Sequence, residues 1–503
     1  MNDTAIQRLV SNDATRRECL GSFHSFVKLA WAQVDPRTFV DAWHIYVMCE
    51  YLQRFAHTVM YDGSNVLRPL PPIPAVKNLI INIPPGHAKS LVASVLFPAW
   101  VWLHYPSAKF LCESHSSNLT TRDSVRCRDL IRSQWYQEIF HPTWVMKRDQ
   151  DEKSYYVNSA FGWRVSVGVE SEATGWRPNF RITDDPMDAS GVTSERKRNA
   201  VIEWNDGKMS SRLQDLTRGH LIIMQRLHEN DLVGHLLKTR GKNYAHLCLQ
   251  AEYDPESLRE GCNSIFDDPR QHGELLFPEV YPSESVSFLK TALGSFGTSA
   301  QLQQAPTPRG GGFFKNEWFP RYSYSQISPS DFTECIQSWD CAVKDKPDND
   351  RAAGQVWAKI RSDHPLYPNR ICLYDAVALQ LDFVDNVKAI RTMSEKHPYA
   401  RRKLIEDKAN GSPIIQLLTR QFNDGSVIPF EPGSRSKEVR AEAVTPACEA
   451  GLVIIPSEGE ASWVSDWLDE ITKFNKHKRD DQVDAFTQAV LHFTQTKEWV
   501  FSL

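Results

Sequence analysis

The sequence predicts an α/β protein with two successive domains, each built on a largely parallel sheet covered by helices. Two observations carry this prediction. From Asn78, short apolar runs alternate with helical patterns, and a second alternation of the same kind begins at Cys335. Between them the segment "APTPRGGG" at 305–312 is dense in proline and glycine, which indicates a hinge or linker. Strand–helix alternation on this scale is typical of parallel sheets packed between helices.

Length, composition and net charge limit the kinds of protein that this chain can be. The 503 residues suggest about three domains at ~150 residues each, and 41% hydrophobic with 24% charged residues is ordinary for a globular protein. The formal net charge of −4 excludes attraction of nucleic acid by the field of the whole molecule, so any such contact needs a local basic face.

Cysteine usage and hydropathy predict the compartment. The 10 cysteines form no C-x-x-C pair, which excludes a zinc ribbon and a disulfide framework and favours a reducing cytosol. The first residues mix charges and have no apolar signal core. No apolar run approaches the ~20 residues that span a bilayer, so we expect an intracellular protein with no membrane partner.

The elements follow in order along the chain. Residues 1–75 are predicted to be helical, because apolar residues recur at three- and four-residue spacing until "RPLPPIP" stops the pattern. Residues 76–304 then alternate: "NLIINI" precedes "SLVASVLFPAWVWL", "AKFLCES" precedes "NLTTRDSVRCRDLIRS", and "FRIT", "GHLIIM" and "AHLCLQA" follow. We place a linker at 305–330.

Residues 331–503 form the second predicted domain. Its order is "CIQSWD", "AAGQVWAKI", "RICLYDAVAL", a helix, "KLIED" and another helix. Three strands followed by helix, strand and helix are typical of a ribonuclease H-like domain, although other α/β folds share this order.

The turn after "NLIINI" is a candidate phosphate loop. The residues that would bind the phosphates are Gly86, His87, Ala88, Lys89 and Ser90. Backbone N–H groups at a helix start attract an anion, Lys89 would reach the β- and γ-phosphates, and the Ser90 hydroxyl would bind Mg²⁺. The pattern G-x-x-x-x-G-K-[ST] is broken twice, because Ile83 and Ala88 stand where the glycines belong. A plain turn between strand and helix is the alternative.

Two further strand ends carry polar residues of the kinds an ATPase needs. Asp184 and Asp185 follow "FRIT", where one carboxylate would hold Mg²⁺ and the next would polarise the attacking water. Gln225 follows "GHLIIM" and would sense the γ-phosphate. Taken singly, Asp-Asp-Pro is also good turn chemistry, and Gln225 also suits an ordinary strand-to-helix loop.

Together these motifs resemble the large terminase subunits of tailed bacteriophages. That family carries "WHI…CE", a loop "I-P-P-x-H-x-K-S", "D-D-P" and "M-Q-R-L-H-E-x-D-L", and this chain has each in order. The resemblance implies that the degenerate loop is a phosphate loop within a P-loop ATPase domain. It also implies that His44 packs near the adenine and that Arg177 enters a neighbour's site, where an arginine accelerates phosphoryl transfer by orders of magnitude. A surface arginine is the alternative for Arg177.

The second domain offers carboxylates for a two-metal nuclease, in which ions ~4 Å apart flank the scissile phosphate. Asp340 lies in "CIQSWD", Glu406 and Asp407 end "KLIED", and Asp481 and Asp484 start the closing helix. An acidic helix start is often only a complement to the helix dipole. Three carboxylate groups in ribonuclease H-like order favour a metal site. Whether Glu406 or Asp407 is the ligand stays open, since neighbouring strand residues face opposite sides. The choice between Asp481 and Asp484 also stays open, and these two are three apart, so both can face the same side of the helix.

The terminase resemblance extends to this domain, since the family has an "[IV]-E-D" strand and a closing "D-D-x-x-D-A" helix, and to the linker region "AQLQQAPTPRGGGFFKNEWF". It implies ATP and Mg²⁺ as cofactors, with Mn²⁺ possible at the nuclease site. It implies double-stranded DNA, a small terminase subunit, the portal protein of a procapsid and a ring of identical copies as partners, in the host cell cytoplasm. The rival hypotheses are a DNA helicase or repair ATPase fused to a nuclease, and an inactive scaffold.

Overall fold

The computed structural model describes residues 3–60, 76–171, 175–189, 191–192, 194–209, 218–306, 313–341, 351–407, 411–431, 433, 436–474 and 480–494. The chain divides into two compact units, Met1–Lys290 with Phe296–Thr307, and Thr291–Ser295 with Pro308–Leu503. The proline-rich stop at 68–74 and most of the "APTPRGGG" segment lie outside the described residues. The predicted limits of the domains and of the linker stay predictions.

The described helices of the first part of the chain are α1 (Asp3–Gly21), α2 (Phe23–Val34), α3 (Trp43–Met60), α4 (Phe97–His104), α5 (Ser117–Arg132), α6 (Gln134–Phe140), α7 (Glu195–Glu203), α8 (Leu232–Arg240) and α9 (Ser283–Gly297). A wider, π-helical segment, Leu91–Leu96, leads directly into α4. Within the described range 3–60 the chain forms α1, α2 and α3, with a non-helical segment at 35–42 between α2 and α3.

The first unit contains an eight-stranded sheet within its described residues, in the order β3-β4-β5-β2-β6-β7-β1-β8. Its strands are β1 (Leu79–Asn82), β2 (Lys109–Ser114), β3 (Met146–Asp151), β4 (Tyr155–Asn158), β5 (Trp163–Gly168), β6 (Phe180–Asp184), β7 (Gly219–Met224) and β8 (Ala245–Cys248). The six strands from β5 to β8 in this order run parallel, whereas β4 pairs antiparallel with both β3 and β5.

Helices cover both faces of the parallel strands. On one side α2, α3, α4 and α5 contribute to an apolar core that includes Leu79 and Ile81. On the other side α7 and α8 pack on the alternate residues Ile80 and Ile222. Strands β1, β6 and β7 are buried along their whole length, as expected for parallel strands between two helical layers. The prediction of a helix-covered parallel sheet is confirmed here.

The second unit contains a seven-stranded sheet in its described part, in the order β14-β13-β10-β11-β12-β15-β9. Its strands are β9 (Arg321–Tyr322), β10 (Phe332–Asp340), β11 (Ala352–Ile360), β12 (Ile371–Leu379), β13 (Arg402–Glu406), β14 (Val427–Phe430) and β15 (Val453–Pro456). Strands β10, β11 and β12 form an antiparallel meander, and β13 returns parallel beside β10. Strand β9, which lies within the predicted linker, pairs with β15 at the edge of this sheet.

The helices of the second unit lie on both faces of this sheet: α10 (Phe383–Lys396), α11 (Gly411–Phe422), α12 (Lys437–Glu449), α13 (Val464–Thr472) and α14 (Asp481–Thr494). Helices α12, α13 and α14 share one apolar core, and α10 and α11 share another. The order β10, β11, β12, α10, β13, α11 is the predicted ribonuclease H-like order. No helix in the described part of the chain is long and apolar enough to cross a membrane.

Candidate active sites

The candidate phosphate loop after β1 contains two residues in the left-handed region of backbone conformation. Gly86 and Ala88 both have positive φ, 78° and 61°. Ala88 therefore takes the left-handed conformation that normally favours glycine, at a cost of roughly 1–2 kcal/mol. At Gly86 an added Cβ would lie 1.8 Å from the hydroxyl of Tyr281, so no side chain fits there without a shift. The helix begins directly at Lys89 and Ser90.

Lys89 joins the three motifs of the first unit. It is buried, its Nζ lies 2.9 Å from Oδ2 of Asp185, and it donates a 3.0 Å hydrogen bond to Oε1 of Gln225. Asp184 ends β6 and Gln225 follows the end of β7. In the sheet β7 lies between β6 and β1, and the three strands run parallel. The structure thus brings together the loop, the Asp pair and the glutamine.

Asp184 is held by two serine hydroxyls. Ser90 donates to its Oδ1 at 3.0 Å and Ser94 donates to its Oδ2 at 2.9 Å. Burial, followed by the nearby charges of Asp185 and Asp123, raises the pKa of Asp184 to about 7. A hydroxyl beside a carboxylate is the protein share of a typical Mg²⁺–nucleotide site, so Ser90 and Asp184 fit that ion.

Ser94 was not foreseen from the sequence. It lies one helical turn beyond Ser90, so the i, i+4 spacing places both hydroxyls on the same side. That spacing was the available signal. Asp185 has a φ of 41°, and its backbone carbonyl accepts from the backbone N–H of His115 at 3.1 Å. A left-handed aspartate directly after a buried strand is the kind of strained position that clusters at functional sites.

His44 and His87 form an aromatic cluster beside the loop. The His44 ring is fully buried, 5.5 Å from the His87 ring and 4.7 Å from Phe277 between centroids. The His87 ring stacks on Tyr281 at 5.0 Å, with 16° between the planes. Burial keeps the pKa of both histidines low, well below the ordinary value for His44 and about 4 for His87. Both are neutral at pH 7, and Phe277 and Tyr281 were not foreseen.

Arg177 lies apart from the loop of its own chain. It precedes β6, whereas Asp184, at the far end of β6, touches Ser90. The side chain is exposed, and the neighbouring Trp176 packs on Tyr155 and Trp163 at 5.1 and 5.0 Å between ring centroids. Arg177 therefore stands at the amino edge of the sheet, opposite the phosphate loop.

In the second unit three carboxylates converge. Asp340 is the last residue of β10 and Glu406 is the last residue of β13, and these two strands are parallel neighbours. Asp484 lies in the first turn of α14. Within the described ranges these three residues offer ligand oxygens that all lie within 4.8 Å of one another. Carboxylate oxygens at this spacing suit Mg²⁺ or Mn²⁺.

The geometry separates Glu406 from Asp407 and Asp484 from Asp481, the two pairs of alternative ligands that the sequence offers. Asp407 lies just past β13, where it accepts a hydrogen bond from Ser412 and its backbone N–H donates to Phe430. Asp481 accepts from the backbone N–H of Arg351 at 3.4 Å, and burial raises its pKa to about 6. Glu406 and Asp484, rather than Asp407 and Asp481, join Asp340.

Polar contacts fix the start of α14 on the sheet. Ser338 Oγ donates to the carbonyl of Ala485 at 2.6 Å, and Gln488 Nε2 donates to Ser338 Oγ and to the carbonyl of Leu404, both at 3.0 Å. Gln355 Nε2 donates to the carbonyl of Gln482 at 2.9 Å. The first turn of α14 is thereby held against the ends of β10 and β13.

Two cations of α12 were missed by sequence reasoning. Arg440 is buried and donates to Oε1 of Glu406 at 2.9 Å and to Oδ1 of Asp484 at 2.5 Å. Lys437 Nζ lies 2.7 Å from Oδ2 of Asp484 and donates to Asp480 at 2.8 Å. The two residues are three apart on a helix that carries no other sign of the site, so only the folded structure reveals them.

Despite these two cations, the pKa values of Asp340 and Asp484 are raised. Burial, then the charges of Asp484 and Glu406, raises the pKa of Asp340 well above its usual range. Burial also raises the pKa of Asp484, while Arg440 and Lys437 act to lower it. Arg440 and Lys437 therefore offset part of the repulsion among the three carboxylates. A bound divalent ion would offset the remainder.

Residues 337–493 match the family model of the terminase RNaseH-like domain. This match confirms the ribonuclease H-like prediction for the second unit and, in those residues, the resemblance to terminases. No curated protein sequence matches the chain significantly.

Solved structures of large terminases resemble the chain at low identity. The large terminase of a thermophilic bacteriophage is 11% identical, with 87% of this chain and 98% of that chain covered and a TM-score of 0.48. The large terminase of bacteriophage HK97 is 12% identical, with 88% and 98% covered and a TM-score of 0.30. The magnesium-bound large terminase nuclease of the thermophilic phage G20c is 16% identical, with 36% and 98% covered and a TM-score of 0.28.

Proposed function

We propose that the chain is the large subunit of a bacteriophage terminase, a motor that packages viral DNA. The observation that carries the proposal is the convergence of Asp340, Glu406 and Asp484 inside the residues that match the terminase family model. A DNA helicase or repair ATPase fused to a nuclease would not be expected to match that model.

The first unit would hydrolyse ATP to drive double-stranded DNA into a procapsid. Lys89 and the loop amides would hold the phosphates, Ser90 and Asp184 would hold Mg²⁺, and Asp185 would orient the attacking water. Lys89 contacts both Gln225 and Asp185 in this structure. When nucleotide binds, Gln225 would leave Lys89 and contact the γ-phosphate instead. A bound Mg²⁺ neutralises the charge that develops on the phosphates.

The second unit would cut concatemeric DNA at the start and end of packaging. Asp340, Glu406 and Asp484 would hold Mg²⁺ or Mn²⁺, which supplies charge stabilisation to the scissile phosphate. The chain would act in the host cytoplasm with a small terminase subunit, the portal protein and further copies of itself in a ring, where Arg177 would reach the phosphates of a neighbour.

The motor half is tested with Lys89→Ala. The substitution removes the buried ammonium that contacts Asp185 and Gln225, so ATP hydrolysis should be abolished. Metal-dependent plasmid cutting should remain at the wild-type rate, because Asp340, Glu406 and Asp484 belong to the other unit. ATPase activity near the wild-type rate in this variant would refute the phosphate-loop assignment.

A further inference from the structure

A polar cavity lies in the first unit, away from the candidate phosphate loop. It measures about 380 Å³, and its lining includes Lys77, Asn78, Arg181, Arg218, Arg240 and Tyr244. Three of the basic residues stand at or next to the amino end of a different parallel strand, and Arg240 ends α8, five residues before β8. Lys77 precedes β1, Arg181 is the second residue of β6, Arg218 precedes β7 and Arg240 precedes β8. These four strands are neighbours in the order β6-β7-β1-β8, so the sheet gathers four cations at one edge.

The charge of the lining is one-sided. Of the nine lining residues that the structure describes, four are basic and none is acidic. Two carboxylates nearby compensate in part: Glu113 pairs with Arg181 at 2.9 Å, and Asp206 lies 3.4 Å from Arg240 but also pairs with His235 at 2.8 Å. Low-dielectric walls lined by charges of one sign concentrate ions of the opposite sign.

The guanidinium of Arg181 has one N–H group without a hydrogen-bond acceptor among the described residues. Only 1% of the residue is exposed. Its Nε donates to both oxygens of Glu113, at 3.1 and 2.9 Å, and its Nη1 donates to Asn205 at 2.8 Å. Its Nη2 is buried and makes no hydrogen bond with the described residues. Buried guanidinium N–H groups normally have acceptors, and Nη2 of this lining residue lacks one among the described residues.

The remaining polar groups hold the cavity walls in place. The His220 ring links Thr183 and Tyr244, at 2.9 and 3.0 Å. The Asn78 side chain accepts from the His220 backbone N–H at 3.0 Å and donates to the carbonyl of Asn243 at 3.1 Å. These bonds connect β6 and β7 with the segments that precede β1 and β8, so polar contacts hold this part of the lining together.

We propose that this cavity binds a phosphate group, at the edge of the sheet opposite the nucleotide. Phosphate oxygens pair with arginine forks and lysine ammonium groups. Two sources share this chemistry, a phosphodiester of double-stranded DNA and a free phosphate ion. The DNA source rests on the proposed packaging function, because a motor needs a backbone contact that is independent of sequence.

The test uses Lys77→Ala with Arg240→Ala in the full-length chain. Both side chains line the cavity, neither is fully buried, and neither belongs to the ATPase site. Fluorescence anisotropy with a short double-stranded DNA, in EDTA and without nucleotide, should show weaker binding. The slope of log affinity against log salt should fall by about two, one for each lost phosphate contact.

A matched control removes the same charge elsewhere on the first unit. Arg148→Ala with Lys153→Ala replaces two exposed residues in and beside β3 and should leave the salt slope unchanged. A parallel arm measures thermal stabilisation by inorganic phosphate in the Lys89→Ala background, so that the phosphate loop does not contribute.

The outcomes separate the two sources. A reduced DNA slope supports a DNA phosphate, whereas loss of phosphate stabilisation with unchanged DNA binding supports a free ion. The inference is overturned if both arms are unchanged, or if the control lowers the slope as much as the cavity variant. ATP hydrolysis and plasmid cutting test the proposed function independently of this binding measurement.

Discussion

At the residue scale, Ala88 holds a left-handed conformation in the candidate phosphate loop, at a position where the usual pattern has glycine. The side chain is tolerated, but a φ of 61° is unfavourable for a residue with a Cβ. We predict that Ala88→Gly stabilises the protein by about 1 kcal/mol, since relief of the left-handed strain outweighs the extra entropy of the unfolded chain. Thermal unfolding measures this, and ATP hydrolysis should persist.

Gly86→Ala is the matched opposite, because the new Cβ meets the Tyr281 hydroxyl at a positive φ. It should lower the melting temperature and impair ATP hydrolysis. Equal effects of the two substitutions would show that the loop is not held in this conformation.

Asp184 gives a pH prediction. Its pKa in the folded protein is about 7, whereas an unfolded aspartate titrates near about 3.9. A raised folded-state pKa contributes stability below the unfolded value, and this contribution is lost as pH rises toward 7. Without divalent ions, wild type should therefore lose stability relative to Asp184→Asn as pH rises from about 4 to about 7, by at most about 1.4 kcal/mol per pH unit.

Chemical denaturation at several pH values measures the difference between the two proteins. The informative quantity is the change of this stability difference with pH. Its absolute size is not informative, because asparagine also alters the hydrogen bonds to Ser90 and Ser94. Parallel stability curves over this range would mean that Asp184 keeps an ordinary pKa.

The sequence predicts that carboxylates stand at certain strand ends, but not which of two adjacent carboxylates enters the site. Periodicity places Glu406 and Asp407 together, and only the exact end of β13 decides which one turns toward Asp340. Arg440 and Lys437 carry no local signal, since a basic residue on a helix is usually solvated. Their role depends on where α12 packs, which no short-range pattern contains.

At the element scale, buried parallel strands and amphipathic helices were predictable because their apolar periodicity is strong. The edge strand β3 was not, since "MKRDQD" is polar and partly exposed. Strands β4 and β5 were also missed, although their central residues are buried. The two-residue strand β9 was equally hidden within the predicted linker. Short edge strands bury little, so tertiary pairing rather than local pattern determines them.

The helix α12 supplies the prediction at this scale. Arg440→Met removes the buried cation that bridges Glu406 and Asp484 and leaves Asp484 paired with Lys437. In EDTA the second unit should be destabilised by about 3–5 kcal/mol, the usual effect of breaking a buried pair. Added Mn²⁺ should stabilise this variant more than wild type, because the ion takes over the missing charge. Thermal unfolding with and without Mn²⁺ measures both effects.

Arg402→Met is a suitable control, because that arginine is largely exposed and pairs with Glu334 outside the cluster. Its response to Mn²⁺ should equal that of wild type. An Arg440 variant with the wild-type response would show that the cation does not compensate the metal ligands.

At the scale of the whole molecule, two units with separate cores carry two separate sites. Arg177 adds an expectation about assembly, since it stands at the sheet edge opposite its own phosphate loop. Arg177→Ala should lose ATP turnover but keep nucleotide binding, and mixing it with Lys89→Ala should restore some activity. One subunit then supplies the arginine and its neighbour the loop.

The mixing experiment needs proof of co-assembly, for example by pulling down one tagged variant with the other. ATP hydrolysis is then measured across mixing ratios. Absence of rescue at every ratio in co-assembled rings would contradict a role for Arg177 in a neighbouring site.

The central claim is that Asp340, Glu406 and Asp484 hold the metal ions that cut DNA, and Asp340→Asn tests it most directly. Asp340 ends a central strand, a rigid place from which to bridge two ions. The substitution keeps the shape and removes one of the crowded charges, so the metal-free protein should become slightly more stable, while Mn²⁺-dependent stabilisation should weaken. The decisive measurement is plasmid linearisation in Mg²⁺ or Mn²⁺, with ATP hydrolysis as the internal control. We predict no cutting at an unchanged ATPase rate, whereas cutting at a rate comparable to wild type would make Asp340 a structural strand residue.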